Sequence, residues 1–403
     1  MTKLLSLVLF AAAVAAVPSP ACAPAPMRGE YVEITQETAL IIWDRESKTE
    51  HFIRRANFQS TSPDFGFLVP TPTQPELAEA DESVFDHLSA YTAPKIEYRT
   101  VRKPRPPQTR DDKHAPMAAA PGGAFGGPPR GVEVLDQTEV GGQEAVVLKF
   151  HRGPKSDVVE DAKELAEWLK KRGYEFGPQL VNWLKPYIEN DWVMTAFRIA
   201  KRVAVGKGPQ PPVVGNAVNE MHGKAVRMTF KTDTPFYPYR EPESPRVEPK
   251  RPGWYSPSRF LRVFVLADRR MSGTLGAKGG SWTAGGTAWT DKLDPSQMEM
   301  VAVKLKIDPA LLKNANWLTE FEDRSSPRQG TDEVYFKAND GPSVHRPVII
   351  REVVEYYDDP DASAGPDAAD RPTPTWLMLF AAIGGVAFVS ILALLLVVIL
   401  RQR

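Results

Sequence analysis

The sequence predicts an α+β domain, rich in strands and with a few short helices, joined to one C-terminal transmembrane helix. Three observations predict it. From Glu30 onward, short runs of β-branched and aromatic residues alternate with polar turns. Proline occupies 38 of 403 positions, well above the usual ~5%, which favours short elements joined by stiff loops over long helices. Trp376 to Leu400 is a 25-residue stretch without a charge.

The chain opens with Lys3, the uncharged run Leu4 to Val17, and then small residues and prolines. That is the order of a secretory signal peptide, placed at residues 1–23. Cys22 is the single cysteine. Ser19 stands where lipid attachment to Cys22 would want an aliphatic residue. One cysteine excludes internal disulfides and iron–sulfur clusters, so the domain must be held by packing. Fifty Lys and Arg balance fifty Asp and Glu, which argues against nucleic acid as a partner.

The domain itself is placed at residues 29–357. Glu30 to Ile34, Ala39 to Trp43 and Glu50 to Ala56 read as a strand meander, and Phe65 to Val69 as a further strand ended by Pro70 and Pro72. Ser83 to Ala90 suits a short helix. Residues 103–131, with prolines, paired glycines and an alanine run, read as a flexible insertion that cannot offset its ordering entropy. Val132 to Leu135 and Ala145 to Phe150 pair as strands. Asp157 with Glu160 makes a capping box ahead of the stripe Val158, Ala162, Leu165 and Leu169, which ends at Gly173. A second, shorter helix follows Pro178 and is interrupted by Pro186. Trp192 to Val203 reads as a long strand, and alternation resumes at Ala225 to Lys231.

Phe260 to Ala267 is a hydrophobic strand. Gly273 to Gly286 holds six glycines around Ser281 and Trp282 and reads as a mobile loop. Val301 to Ile307 and Val334 to Lys337 read as strands, Pro309 to Lys313 as a short helix capped by Asp308, and Val348 to Tyr356 as a last strand. Residues 358–375 form an acidic Pro/Ala stalk. At ~1.5 Å per residue, a helix over residues 376–400 reaches ~37 Å against a ~30 Å hydrocarbon core. Arg401 and Arg403, in the tail of residues 401–403, put the C-terminus in the cytoplasm and the domain outside, a single-pass type I arrangement.

The order Phe65-Gly66-Phe67-Leu68-Val69-Pro70-Thr71-Pro72, Val84-Phe85-Asp86-His87-Leu88, Glu164 to Tyr174, Trp192 to Phe197 and Phe236-Tyr237-Pro238-Tyr239-Arg240 resembles the bacterial secreted and membrane-anchored family called domain of unknown function 2330. The likeness spans Gly29 to Tyr357. It departs at Cys22-Ala23, where a cysteine-glycine pair is associated with such mature N-termini, and in the long insertion. The resemblance implies a bacterial envelope location and no particular activity. It also implies that residues 103–131 interrupt one domain instead of separating two.

Motifs that carry chemistry are few. No two of His51, His87, His114, His151, His222 and His345 fall within a helical turn of one another, so no metal or other cofactor is expected. Glu220-Met221-His222 sets a carboxylate near an imidazole beside Gly223. Ser281 lacks the glycine two residues on that a nucleophile elbow needs. Trp282 and Trp289 either present aromatic platforms to a sugar or peptide or close the local core. Trp168, Trp183 and Trp192 are expected in the core. The expectation is a non-catalytic binding or scaffolding module with an envelope protein or glycan as partner. The alternative is an extracytoplasmic hydrolase cutting cell-wall glycan or peptide with a carboxylate pair, which leaves no fixed sequence spacing.

Overall fold

The computed structural model describes residues 23–104, 132–150, 157–174, 178–200, 219–242, 259–325, 328 and 331–357. The expected signal peptide up to Cys22, the insertion beyond Pro104, the stalk, the membrane span and the tail lie outside them. Among the described residues no helix is long and apolar enough to cross a membrane.

The chain runs β1 (Ala23–Pro26), β2 (Val32–Asp44), β3 (Thr49–Ser60), β4 (Asp64–Thr71), β5 (Glu76–Glu79), α1 (Ser83–Tyr91) and β6 (Ile96–Pro104). It continues with β7 (Val132–Val140), β8 (Gln143–Phe150), α2 (Val158–Lys170), α3 (Pro178–Glu189), β9 (Val193–Ala200), β10 (Asn219–His222), β11 (Val226–Lys231) and β12 (Phe236–Tyr237). Then come β13 (Phe260–Ala267), β14 (Met271–Leu275), β15 (Gly280–Ser281), β16 (Gly285–Lys292), α4 (Pro295–Leu305), a 3-10 turn at Pro309–Leu312, β17 (Trp317–Asp323), β18 (Val334–Ala338) and β19 (Ile349–Tyr357). The described residues fall into two compact units, one of those up to Lys95 and from 132 to Val348, the other of Ile96–Pro104 and Ile349–Tyr357.

The larger unit is layered. Its main sheet has the order β16-β17-β13-β2-β3-β11-β5, with β10 also on β3, and a second sheet has the order β1-β4-β9-β8-β7. Ala39, Ile41, Trp43, Phe52, Phe58, Val263 and Val265 point from the main sheet into one core with Phe65, Phe67 and Phe197 of the second sheet. The small sheet β12-β18-β14-β15 adds Phe236, Val334 and Phe336 to that core. On its far side the main sheet packs Leu40, Ile42, Phe264 and Leu266 against α1 and α4. The far side of the second sheet packs Leu68, Leu148 and Met194 against α2 and α3. Strands buried on both faces lose alternation, which is why Ala39 to Trp43 is an unbroken apolar run.

Several elements follow their local chemistry. Asp157 Oδ1 accepts from Val159 N at 2.8 Å and starts α2, whose Ala162, Leu165, Trp168 and Leu169 are buried. Gly141 and Gly142 both take positive φ, 59° and 67°, as a two-residue hairpin between paired Val140 and Gln143 requires.

Four expectations are corrected. Glu30 to Trp43 is not two strands, since β2 runs through it with a bulge between Ile34 and Gln36. Helix α3 continues past Pro186 to Glu189. Burial of Tyr187 and Ile188 beyond the proline outweighs the ~3 kcal/mol that an interior proline costs. Val301 to Ile307 falls largely in helix α4: Asp294 accepts from Ser296 N and Gln297 N, Pro295 opens the first turn, and Val301, Ala302 and Leu305 form the buried stripe. Gly273 to Gly286 is not one loop: it holds the end of β14, all of β15 and the start of β16, with turns at 276–279 and 282–284 between them.

The smaller unit's described part is a parallel two-stranded ribbon, β6 with β19, paired from Ile96↔Ile349 to Pro104↔Tyr357. Its Lys103 and Pro104 therefore belong to a strand and not to the insertion.

Candidate functional site

Strand parity places a charged cluster in the main core. Glu37 shares the inward parity of Ala39 and Ile41 on β2, Arg54 that of Phe52 and Ala56 on β3, and Asp323 that of Phe321 on β17. Arg259 lies just before β13, and Glu241 and Arg328 come from loops. Arg54 Nε meets Glu37 Oε1 at 2.6 Å, while Arg328 Nη1 lies 3.3 Å from Glu37 Oε2 and 3.6 Å from Glu241 Oε1. Arg259 Nη2 reaches Glu241 Oε1 at 2.7 Å, Arg328 Nε is 3.7 Å from Asp323 Oδ2, and Tyr239 donates to Asp323 Oδ2 at 2.7 Å. Three guanidiniums thus face three carboxyls.

Glu37 and Glu241 are shifted in opposite directions from the ordinary carboxyl range. Burial raises Glu37, but Arg54, Arg328 and Arg259 overrule it and hold it at about 2. Burial pushes Glu241 up to about 8 against Arg259 and Arg328. Such splitting is what an acid and base pair needs. Both side chains, however, have no exposed surface and face their arginine partners. Beside Arg54, whose guanidinium lies 4.1 Å from the Phe67 ring centroid, a cavity of about 30 Å³ is lined by Phe58, Phe197, Ile199, Met228 and Gln143. It has room for one or two waters.

Three smaller clusters surround this core. Arg198 Nη2 binds Asp64 Oδ2 at 2.6 Å across β9 and β4. On the helix side of the main sheet, Arg346 Nη2 meets Glu320 and Glu322 at 2.7 and 2.6 Å, and Arg262 meets the same two at 2.9 and 3.0 Å. Glu333 accepts from Tyr187 Oη and from Arg240 N, and burial lifts its carboxyl to about 7.

Of the residues singled out from the sequence, Trp168, Trp183 and Trp192 meet in the core beside the second sheet, and Trp289 meets His345 with ring centroids 5.8 Å apart. Trp282 and Trp289 are 3% and 6% exposed, so they close the core and do not form a surface platform. Trp282 packs edge-on to Tyr239 with centroids 5.5 Å apart, and Trp289 against Tyr91 at 5.6 Å. The rings are large enough that only interior contacts cover them, and Gly273 and Gly285 clear the space for Trp282. Trp168 and Trp183 are buried. His222 and Glu220 lie exposed on β10, with His222 Nδ1 3.1 Å from Asn57 Oδ1. His51 is buried and neutral, its pKa brought down to about 4 by burial and Arg227. His114 and His151 lie outside the described residues. The arginine and carboxylate cluster was missed because its members are far apart in the chain; its one signal was a charge at an inward parity position of an otherwise apolar strand.

Among the described residues, Glu37, Glu241 and Arg328 of the charged cluster have no exposed side-chain surface. The chain belongs to the family described as "Uncharacterized protein conserved in bacteria (DUF2330)", which matches residues 17–333. No curated protein and no solved structure matches it.

Proposed function

We propose that the chain is a single-pass type I envelope protein whose β-rich domain, held outside the cytoplasm by Trp376 to Leu400, binds or scaffolds an envelope protein or glycan. One observation carries the reading: an uncharged 25-residue run with Arg401 and Arg403 directly on its far side, against the single Arg371 in the acidic stretch 358–375 on its near side. The non-catalytic half is supported by the core arginines and carboxylates being committed to one another. Protease added to spheroplasts should remove the domain; full protection would reverse the orientation.

A hydrolase using a carboxylate pair is the second reading, favoured by the divided titration of Glu37 and Glu241 and opposed by their burial. Incubating the purified protein with isolated cell wall separates the two. Retention on the wall without soluble fragments supports binding, whereas fragment release that Glu241→Gln abolishes supports hydrolysis.

A further inference from the structure

The ribbon of β6 and β19 is an unusual object. Parallel strands are ordinarily covered on both faces, and two strands alone are marginal in water. Here Ile96, Tyr98, Ile349, Val353 and Tyr357 lie exposed on one face, and Ile350 and Tyr356 on the other. Among the described residues β19 pairs only with β6, so every second residue turns its backbone N–H and C=O to an open edge.

We propose that this edge pairs antiparallel with β19 of a second copy of the chain, giving a four-stranded sheet across a two-fold axis at Val353. The sequence Ile349-Ile350-Arg351-Glu352-Val353-Val354-Glu355-Tyr356-Tyr357 is complementary to its own reverse except at Glu352, which falls opposite Val354. With Val353 opposite Val353 of the second copy, Arg351 falls opposite Glu355, Ile350 opposite Tyr356 and Ile349 opposite Tyr357, each twice by symmetry. Paired residues then lie on the same face. A slip of one residue would set them on opposite faces. Pairing offset by two would put Arg351 against Val353 or Tyr357 and leave both charges without an opposite partner. Glu355 also meets Arg102 of its own copy at 3.0 Å, so in the dimer each Glu355 lies between two arginines. The Arg351 and Glu355 pairs and the outer apolar pairs thus agree on one register, which also keeps Glu352 from facing its own counterpart, and that agreement selects a second copy as the occupant.

The test uses the full chain purified in detergent, with Cys22→Ser to remove the native thiol. Val353→Cys should form a disulfide-linked dimer under mild oxidation, because residues directly opposite in antiparallel strands have Cα atoms ~4.5 to 5.5 Å apart. Val303→Cys, exposed on α4, should not. Without cysteine, Arg351→Glu and Glu355→Arg should each weaken self-association at least about tenfold by setting like charges opposite. Mixing the two variants should restore it, since the carboxylate introduced in one chain then faces the guanidinium introduced in the other. A monomer by light scattering that fails to cross-link at position 353 overturns the proposal, including one that binds lipid vesicles through the ribbon. A dimer indifferent to both charge reversals, or one that mixing does not restore, overturns it as well. Whether the chain sits in a membrane does not bear on these outcomes.

Discussion

Arg328 and Glu37 stand 291 residues apart in the chain, yet their side chains meet at 3.3 Å with no exposed surface on either. Arg328 also faces Glu241 and Asp323, so one loop side chain faces carboxyls from three other segments. Removing one partner of a buried ionic cluster strands the others. Arg328→Met should therefore cost about 3 to 5 kcal/mol, read from denaturant midpoints. A loss below about 1 kcal/mol would mean that water enters and solvates the carboxylates.

Stability should fall as pH rises from about 5 to about 8. Glu333 and Glu241 have folded-state pKa values of about 7 and about 8. Burial raises Glu50 well above its ordinary value, opposed only by the bond from Phe236 N. Above the ordinary carboxyl range the unfolded chain has lost these protons while the folded state keeps them, so the slope is negative. His51, depressed to about 4, gives the opposite slope below its ordinary value and offsets part of the effect there. Glu37, held at about 2, contributes stability that is lost only as pH falls through the acid range. Glu50→Gln should accordingly gain on the natural protein at pH 8 relative to pH 5, in thermal midpoints. A difference between the two proteins that stays constant with pH would remove Glu50 as a source.

Local chemistry was readable wherever a cap, a turn and a periodic stripe agreed. Asp157, the stripe through Leu165 and Gly173 at φ 87° all marked α2, and Asp308 marked the 3-10 turn. Reading failed where a residue had two meanings. Val301, Val303 and Leu305 alternate like a strand, and the Asp294-Pro295 helix start was the stronger signal. The glycines near Trp282 read as flexibility, although two of them are spacing for a ring. The charged core was not legible because antiparallel and parallel pairing, the latter joining β2 to β13, decides which distant charges meet.

Helix α2 offers a contrast that tests its burial. Leu165 is fully buried against the second sheet, whereas Lys163 is exposed and paired with Glu160 at 3.0 Å. Leu165→Ala should cost about 2 to 5 kcal/mol through the cavity it leaves. Lys163→Ala should leave the denaturant midpoint within error. Equal, small effects would mean that this face is not packed in the domain.

The last prediction concerns the glycines around Trp282. A Cβ on Gly273 would lie 2.6 Å from Trp282 Cε3 and 3.3 Å from Val334 Cγ1, and one on Gly285 would run into the indole's fused ring atoms. Gly286, the next residue, has nothing within 4 Å of such a Cβ. Gly273→Ala and Gly285→Ala should each cost about 1 to 3 kcal/mol by overpacking, and Gly286→Ala should stay within about 0.5 kcal/mol. Backbone entropy alone would treat the three alike, since each loses a glycine from a strand. Repeating Gly285→Ala in a Trp282→Leu background isolates the ring: its penalty should vanish there, because the smaller side chain leaves room for the methyl group. Three equal penalties, or one for Gly285→Ala that persists without the indole, would show that these glycines serve the backbone and not the tryptophan.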